Sequence, residues 1–303
     1  MQDLALGTLA AITLLAWFRR VRRRRRSHRA AAAALSSPAR LPAFLRPEPV
    51  GELVRLGRDH DGGYLVPLAA LHATKGLLSF GLNDDWSFEE AAVRRLPGIP
   101  VVAHDRSVSR WKFPAQSLAL FLLAPLRAIF LGRKVLRRPC NLLAAFAAHL
   151  RFFRDNRVHR PLFLGDRSRN GFTDFHDAVR HPLLATCPEI LVKSDIEGAE
   201  YDAFANPSRE DLARVSALVV EFHHLDRELP RLRSLALSLA GDFAIAHVHA
   251  NNHILPASDG TLPVIEVTWV ARRHIPAHPT LADVTHLDQP CDPGRPECPI
   301  EFA

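Results

Sequence analysis

The stretch EILVKSDIEGAEYDAF, residues 189–204, decides the fold. Its first half, Glu189–Asp195, is a continuous apolar run that ends in charge, and ALVVEFHH at Ala217–His224 repeats that pattern. Runs of this kind are typical of strands that are buried on both faces of a parallel sheet and covered by helices. Both segments are therefore predicted to be buried strands.

Strands and helices alternate on both sides of this stretch. The other predicted strands are Leu77–Gly81, Ile99–Asp105, Pro161–Asp166, Phe243–Ala250 and Val264–Ala271. The predicted helices are Ser87–Arg95, Asn141–Arg154, Phe172–Arg180 and Arg227–Leu239, the last with Asp226 as its N-cap. This alternation predicts an α/β fold with a mainly parallel sheet, and the final helix-free strand pair predicts one antiparallel strand.

Ligands of such sheets bind outside the carboxyl ends of the strands. The residues that close the predicted strands are the candidates for a site: Gly81, Asp105, Asp166, Asp195, Glu221 and His223. The Asp105 carboxylate could accept hydrogen bonds from two vicinal hydroxyls of a ribose, or it could simply face solvent. Gly81 at the preceding strand end favours the first interpretation, because glycine lets the backbone approach a ligand.

The loop FGLNDDWSFEE, Phe80–Glu90, lacks the glycine spacing of a pyrophosphate-binding loop, which argues against NAD. Asp84 and Asp85 would repel phosphate and would suit a ligand with a positive centre, such as an amine or a sulfonium. Alternatively, one of them caps the helix that begins near Trp86.

Ionisable residues crowd the end of the strand at Glu189–Asp195. Lys193, Asp195, Glu197 and Glu200 follow one another closely, and Gly198 permits a tight turn. Groups that emerge together from a buried strand are expected to perturb one another's pKa values, which is typical of active sites and also of structural ion networks.

Histidines and cysteines leave further alternatives open. His247 and His249 share one strand face, as metal ligands often do, but the sequence shows no third ligand, so packing and hydrogen bonding are the other interpretation. Cys291 and Cys298 could pair in an oxidising compartment or remain free thiols. The turn at Asp61–Gly63 is predicted to close a hairpin.

The formal net charge of +7 is concentrated at one end of the chain. Residues 1–40 contain nine arginines and one acid, which leaves 30 basic and 31 acidic residues for the rest. The body is therefore nearly neutral, which argues against a nucleic-acid-binding surface on the fold.

The apolar run Leu4–Phe18 is followed at once by the basic run Arg19–Arg26. We expect a membrane anchor, spanning or interfacial, with the arginines on anionic headgroups and the body on the cytoplasmic side. An organelle transit peptide and a disordered start are the alternatives.

The predicted organisation is an anchor at 1–29, a linker at 30–49 and a domain at 50–303. Its apolar and basic insertion at 107–140 is expected to pack on the body, to lie on the membrane, or, least favoured, to span it.

The segment KSDIEGAEYDAF, Lys193–Phe204, resembles the K-x-D-I-E-G-A-E segment of FkbM-type methyltransferases, which use S-adenosylmethionine. DGGY at 61–64, SFGLNDDWSFE at 79–89, EFHH at 221–224 and the HANN region at 249–252 resemble the methyltransferase-like domain branch of that family. The resemblance spans about residues 50–290. The chain has Asp84-Asp85-Trp86 where related enzymes usually show a second glycine.

The resemblance implies a Rossmann-like class I methyltransferase fold with a seven-stranded sheet. It places Phe80, Gly81 and Asp85 beside the methionine part of S-adenosylmethionine, Asp105 at the ribose and Asp166 near the adenine edge. The expected reaction is methyl transfer to a hydroxyl of a glycan, lipid or secondary metabolite. The proton would go to a base, with Asp195, Glu197 and His223 as the ranked candidates.

Two other functions, and one variant of the enzyme's mechanism, remain open at this point. The degenerate first loop would suit an inactive, membrane-held binding or scaffold protein with the same fold. A divalent metal between Asp195, Glu221 and His223 is a less favoured version of the enzyme. A glycosyl- or nucleotidyl-transferase is the third alternative.

Overall fold

The computed structural model describes residues 38–108, 112–122, 137–254, 256–257 and 260–303. Its main sheet has seven strands: β1 (Gly76–Phe80), β2 (Val101–His104), β3 (Arg157–Arg160), β4 (Ile190–Asp195), β5 (Val215–Phe222), β6 (Phe243–Ala250) and β7 (Ile265–Ala271). Their order across the sheet is β3-β2-β1-β4-β5-β7-β6. β7 runs antiparallel to β5 and β6, and the other neighbouring pairs are parallel. The predicted α/β fold, with one antiparallel strand near the end of a mostly parallel seven-stranded sheet, is confirmed.

The helices are α1 (Leu68–Ala73), α2 (Ser87–Arg95), α3 (Lys112–Leu122), α4 (Arg137–Phe152), α5 (Phe175–Val179), α6 (Glu200–Ala203), α7 (Arg209–Leu212) and α8 (Leu225–Leu239). Single 3₁₀ turns lie at Ala43–Leu45, Pro182–Leu184 and Arg272–His274. A hairpin pairs Leu53–Leu56 with Tyr64–Pro67, so the predicted turn at Asp61–Gly63 is confirmed.

The third strand of the sheet differs from the prediction. β3 is Arg157–Arg160, at the sheet edge, whereas only Phe163–Leu164 of the predicted strand Pro161–Asp166 is extended, in a separate pair with Phe172–Thr173. An edge strand that is half exposed needs no apolar run, so the sequence RVHR gave no strand signal.

Three helix starts also differ from the prediction. α4 begins at Arg137 rather than at Asn141. Phe172–Thr173 is extended, so α5 begins only at Phe175, where the side chain of Asp174 accepts a hydrogen bond from the backbone N–H of Asp177. The N-cap of α8 is His224, in the left-handed region with φ 57°, and Asp226 lies in the first helical turn.

The predicted linker is packed on the body over its described part. Ala39–Leu41 pairs in parallel with Ile300–Phe302, and Leu45 is fully buried. Residues 1–37, which include the predicted anchor and the start of the linker, lie outside the described residues. Within the described ranges, no helix is long and apolar enough to cross a membrane.

Apolar side chains cover both faces of the sheet, as expected for continuous apolar strands. Phe80, Val192 and Phe222 contribute to one core, and Leu77 and Leu191 contribute to the other, because neighbouring residues of a strand point to opposite faces.

The described part of the predicted insertion is helical. α3 packs against α4, and the end of α4 places Phe152 and Phe153 against Trp86 beside the carboxyl end of β2. α4 therefore belongs to the body, whereas α3 leaves Leu118 and Leu122 exposed.

The ends of β1 and β4 approach each other at Gly81. Its φ of +76° is in the left-handed region, and a Cβ at this position would lie 1.6 Å from the carbonyl oxygen of Asp195. The approach of the two strand ends therefore excludes a side chain at residue 81.

We expect Gly81→Ala to lower the free energy of unfolding by about 2–4 kcal/mol, since the methyl group adds a backbone clash to a strained φ. Gly98→Ala is the matched control, because Gly98 also has positive φ (+87°) but nothing lies within 4 Å of its Cβ position. Urea unfolding of both variants measures the difference. Equal losses would show that φ alone, not the close approach, matters at residue 81.

Candidate functional site

A cavity of about 590 Å³ opens at the carboxyl ends of β1, β2, β4 and β5. One group of its lining residues is apolar: Leu162, Phe163, Leu164 and Phe172. A second group is ionisable or polar: Asp61, His104, Asp105, Asp195, Glu197, Glu221, His223, Asn251 and His253. The cavity therefore lies where a parallel sheet of this kind binds its ligands.

Asp105, the first predicted site residue, follows β2 and holds the loop that follows β1. Its Oδ2 accepts hydrogen bonds from the backbone N–H groups of Leu82 (2.8 Å) and Asn83 (2.7 Å), and its Oδ1 accepts one from Ser107 (2.7 Å). Burial raises the pKa of Asp105, but these hydrogen bonds outweigh it and hold that pKa below its usual range. The Ser107 side chain also donates to Asp105, so these hydrogen bonds account for about four acceptor positions, the number that a carboxylate offers.

Three other predicted cofactor residues do not line the cavity. Asp85 accepts a hydrogen bond from the backbone N–H of Ser87 (3.0 Å) and lies 3.1 Å from Nε of Arg58, so it holds the start of α2. Phe80 is fully buried and stacks on His104. Asp166 is exposed, and its carboxylate lies 3.2 Å from Nε of Arg167.

Gly81 and Lys193 tie the ends of β1 and β4 together. The buried Lys193 side chain donates a hydrogen bond from Nζ to the carbonyl oxygen of Gly81 (2.6 Å). The same Nζ lies 3.9 Å from Oδ2 of Asp195 and 5.8 Å from the centre of the Tyr64 ring. One buried cation thus fixes the first loop relative to the cluster of acids.

His223, just beyond β5, stands between four carboxylates. Its Nδ1 is 2.9 Å from Glu200, and its Nε2 is 3.4 Å from Glu197, 3.7 Å from Glu221 and 4.0 Å from Asp195. Burial lowers the pKa of His223, but the hydrogen bond to Glu200 and the surrounding negative charge outweigh it and raise that pKa to about 9. His223 is therefore an imidazolium at neutral pH.

Asp195 and Glu221 both bind protons more readily than ordinary carboxylates. Burial is the main cause for each, and it raises the pKa of Asp195 despite the opposing charges of Lys193 and His223. For Glu221 the negative charges of Asp195 and Glu266 add to burial, and its pKa lies well above the usual range. The Asp195 side chain keeps 30% of its surface exposed, so it can reach a ligand in the cavity.

The turn after β4 separates the roles of two glutamates. Glu200 is fully buried, and its Oε1 accepts hydrogen bonds from the backbone N–H groups of Ile196 (3.3 Å) and Gly198 (3.1 Å) as well as facing His223. Glu197 has φ 57° and leaves 86% of its side chain exposed at the rim of the cavity. Glu200 therefore positions His223, and Glu197 faces solvent.

The sequence did not single out the side chains that hold Glu221. Tyr64 Oη donates to Glu221 Oε2 (3.2 Å), and Asn251 Nδ2 donates to Glu221 Oε1 (2.8 Å). Tyr64 belongs to the motif DGGY and Asn251 to the motif HANN. Both motifs resemble the family, but the sequence indicated no role for either residue. Their contact with Glu221 depends on chain segments that lie far apart in the sequence.

His104 is a further cavity residue that the sequence reasoning missed. It is 4% exposed, and among the described residues neither of its ring nitrogens has a hydrogen-bond partner. Burial and the nearby charges of His181 and Arg160 lower its pKa to about 3, so the imidazole is neutral. The only sequence signal for His104 was its position directly before Asp105 at the end of a predicted strand.

The sequence matches no protein-family model, and it has no significant match among curated proteins. Among solved structures, it is similar to a precorrin-6y C5,15-methyltransferase from Geobacter metallireducens, with 10% identity and a TM-score of 0.30 over 66% of this chain and 84% of that one. A mitomycin 7-O-methyltransferase shows 13% identity and a TM-score of 0.22 over 67% and 52% of the two chains. Likeness at this level identifies neither fold nor function, which rest on the sheet order and the site geometry.

The raised pKa of His223 predicts a pH-dependent stability. A histidine whose pKa rises from 6.5 to about 9 on folding stabilises the fold fully below pH 6.5, and this stabilisation is lost as the pH rises through 9. We expect His223→Gln to cost at most about 3 kcal/mol at pH 6, with a smaller difference from wild type at pH 9.

Urea unfolding at several pH values measures this difference. The exposed His278 provides the control variant, His278→Gln, for which we expect no such trend. A loss in His223→Gln that stays constant from pH 6 to pH 9 would contradict the imidazolium assignment.

Proposed function

We propose that this protein is a class I, S-adenosylmethionine-dependent methyltransferase of the FkbM-like type that methylates a hydroxyl oxygen. The observation that carries the proposal is the cavity itself. Asp105, Asp195, Glu221 and His223 line one space at the carboxyl ends of parallel strands. Strand ends in this arrangement bind nucleotide-type ligands.

The residues present fit S-adenosylmethionine. The acids would attract its sulfonium and ammonium groups, and the rings of Phe163 and Phe172, 5.6 Å apart, offer apolar contact to a flat base. The ring nitrogens of His104, which have no partner in the described part of the chain, can bind a polar group of the ligand. The cavity volume is within the range of ligand sites.

The residues that line the cavity have different roles in the proposed reaction. When bound, S-adenosylmethionine supplies an electrophilic methyl group for attack by the acceptor oxygen. Asp195 takes the proton of the acceptor hydroxyl, because it faces the cavity and its raised pKa makes it a stronger base than an ordinary aspartate. His223 is already protonated at neutral pH, so it positions Asp195 and balances the acids, and Glu197 is a solvent-exposed second candidate for the base.

A metal-assisted version of the same reaction has one observation in its favour. Asp195, Glu197 and His223 can each bring one ligand atom within 4.8 Å of the others. A divalent ion there would lower the pKa of the acceptor hydroxyl, which could then release its proton to solvent. Undiminished activity after exhaustive chelation would exclude this version.

We propose a glycan, lipid or secondary-metabolite hydroxyl as the acceptor and the cytoplasmic face of a membrane as the location. The support is the apolar run Leu4–Phe18 followed by Arg19–Arg26, both outside the described residues. The nearly neutral body gives no support for a nucleic-acid partner.

The second candidate function is a binding or scaffold protein that keeps the fold without catalysis. The observation that favours it is the use of Asp85 and Asp105 to hold the first loop and α2. Carboxylates committed to backbone N–H groups leave less capacity for a cofactor.

Binding of S-adenosylhomocysteine separates the two functions. In calorimetric titrations of the full chain we expect binding to wild type, and about 10- to 100-fold weaker binding to Asp105→Asn, since the carboxylate that holds the first loop at the cavity loses its charge. Asp166→Asn alters an exposed aspartate outside the cavity and is expected to bind as wild type does. Absence of binding to folded wild type would favour the scaffold function.

Asp195→Asn tests the proton acceptor. We expect methyl incorporation from labelled S-adenosylmethionine into lipid and glycan fractions to fall about 10²- to 10⁴-fold, with cofactor affinity nearly unchanged. Asp166→Asn is again the control. A variant as active as wild type would move the role of base to Glu197.

A further inference from the structure

A second cluster of metal-ligating side chains lies beside β6 and β7. His249 and Glu266 are paired residues of the two strands, and Cys291 reaches them from the C-terminal segment. His249 Nδ1 is 3.2 Å from Glu266 Oε2, Cys291 Sγ is 3.5 Å from Glu266 Oε1, and Cys291 Sγ is 3.9 Å from His249 Nδ1. None of the three lines the cavity of the candidate site.

The cluster is buried, as a structural metal site would be. His249 and Glu266 are 6% exposed and Cys291 is 2% exposed. One ligand atom from each residue lies within 4.8 Å of the other two. Both Cys291 and its neighbour Cys298 are free thiols.

The spacing of the donor atoms suits tetrahedral coordination. Bonds of about 2.0–2.3 Å to nitrogen, oxygen and sulfur place neighbouring donors about 3.3–3.6 Å apart in a tetrahedron. His249 Nδ1 lies 3.2 Å from Glu266 Oε2 and 3.9 Å from Cys291 Sγ, each within a few tenths of an ångström of such a separation. Cys291 Sγ lies 3.5 Å from the other carboxylate oxygen of Glu266. A thiolate with an imidazole suits zinc and disfavours calcium or magnesium, which prefer oxygen ligands.

Glu297 supplies the outer partner that a histidine ligand normally has. Its Oε1 is 3.1 Å from Nε2 of His249, so in a zinc-bound state Nε2 would donate to Glu297, and Nδ1, which faces Glu266 and Cys291, would bind the ion. A metal-binding histidine whose other nitrogen donates to a carboxylate has its ring orientation fixed in this way.

We propose that His249, Glu266 and Cys291 bind one zinc ion that fastens the C-terminal segment to the sheet. The thiol of Cys291 gives its proton to solvent on binding, and the resulting thiolate and the Glu266 carboxylate balance the two positive charges of the ion. The three residues leave a fourth coordination position for water or an added ligand.

The position of Cys291 explains what the zinc stabilises. The segment around it contacts the end of β6 through other polar groups: the Asp288 carboxylate lies 3.0 Å from His247, and the Asn252 side chain accepts a hydrogen bond from the backbone N–H of Asp292 (2.6 Å). A zinc ion would add a further and stronger link between the segment and the sheet.

The experiment uses the full chain, purified without chelators, with Zn²⁺ measured by plasma mass spectrometry. We expect one zinc per chain that Co²⁺ can replace with thiolate-to-cobalt charge-transfer absorption. That absorption reports on Cys291, because the group Asp195, Glu197 and His223 contains no cysteine. Cys291→Ser and His249→Gln are expected to abolish it, and Cys140→Ser, at an exposed cysteine, is expected to retain it.

A measurement on wild type keeps the proposal testable if the variants unfold. Bound Zn²⁺ is expected to protect Cys291 from alkylation in the native protein and to raise Tm, and a chelator is expected to reverse both effects. Wild type that binds neither Zn²⁺ nor Co²⁺ would overturn the proposal and leave an ion pair between His249 and Glu266 with a hydrogen-bonded thiol. Unchanged cobalt absorption in folded Cys291→Ser would also overturn it.

Discussion

The contact between His223 and the acids around it is the interaction on which the candidate site depends. Like charges so close together in a buried site repel one another strongly, and burial alone would favour neutral carboxyls. One imidazolium, fixed through Glu200 from the turn after β4, lets Asp195 and Glu221 lie side by side at the ends of neighbouring strands. The charge state of the cavity therefore depends on the turn after β4 and on the ends of β4 and β5.

The first loop is held against this cluster by backbone contacts rather than by a glycine-rich sequence. Lys193 binds the carbonyl oxygen of Gly81, and Asp105 binds the N–H groups of the next two residues. These hydrogen bonds fix the backbone of the loop. The loop therefore keeps one conformation beside the cavity although it contains Asp84 and Asp85.

The central strands could be predicted because a continuous apolar run in the sequence indicates a buried strand. It failed at Arg157–Arg160, where an edge strand needs no apolar pattern, and at His224, whose left-handed conformation caps α8 without a sequence signal. In the site, strand-end positions identified Asp105 and Asp195. The partners of Glu221 and of His249 come from segments more than 15 residues away, and only the folded chain brings them together.

The commitment of Asp85 and Asp105 to the loop bears on whether the cavity can hold a cofactor. Asp85 does not line the cavity, and Arg58, whose Nε lies 3.1 Å away, offsets its charge. The hydrogen bonds that lower the pKa of Asp105 keep its negative charge at the cavity, and Asp195 lines the same space. A cationic, partly apolar ligand is therefore better matched to this space than a pyrophosphate, even though the loop departs from the common methyltransferase pattern.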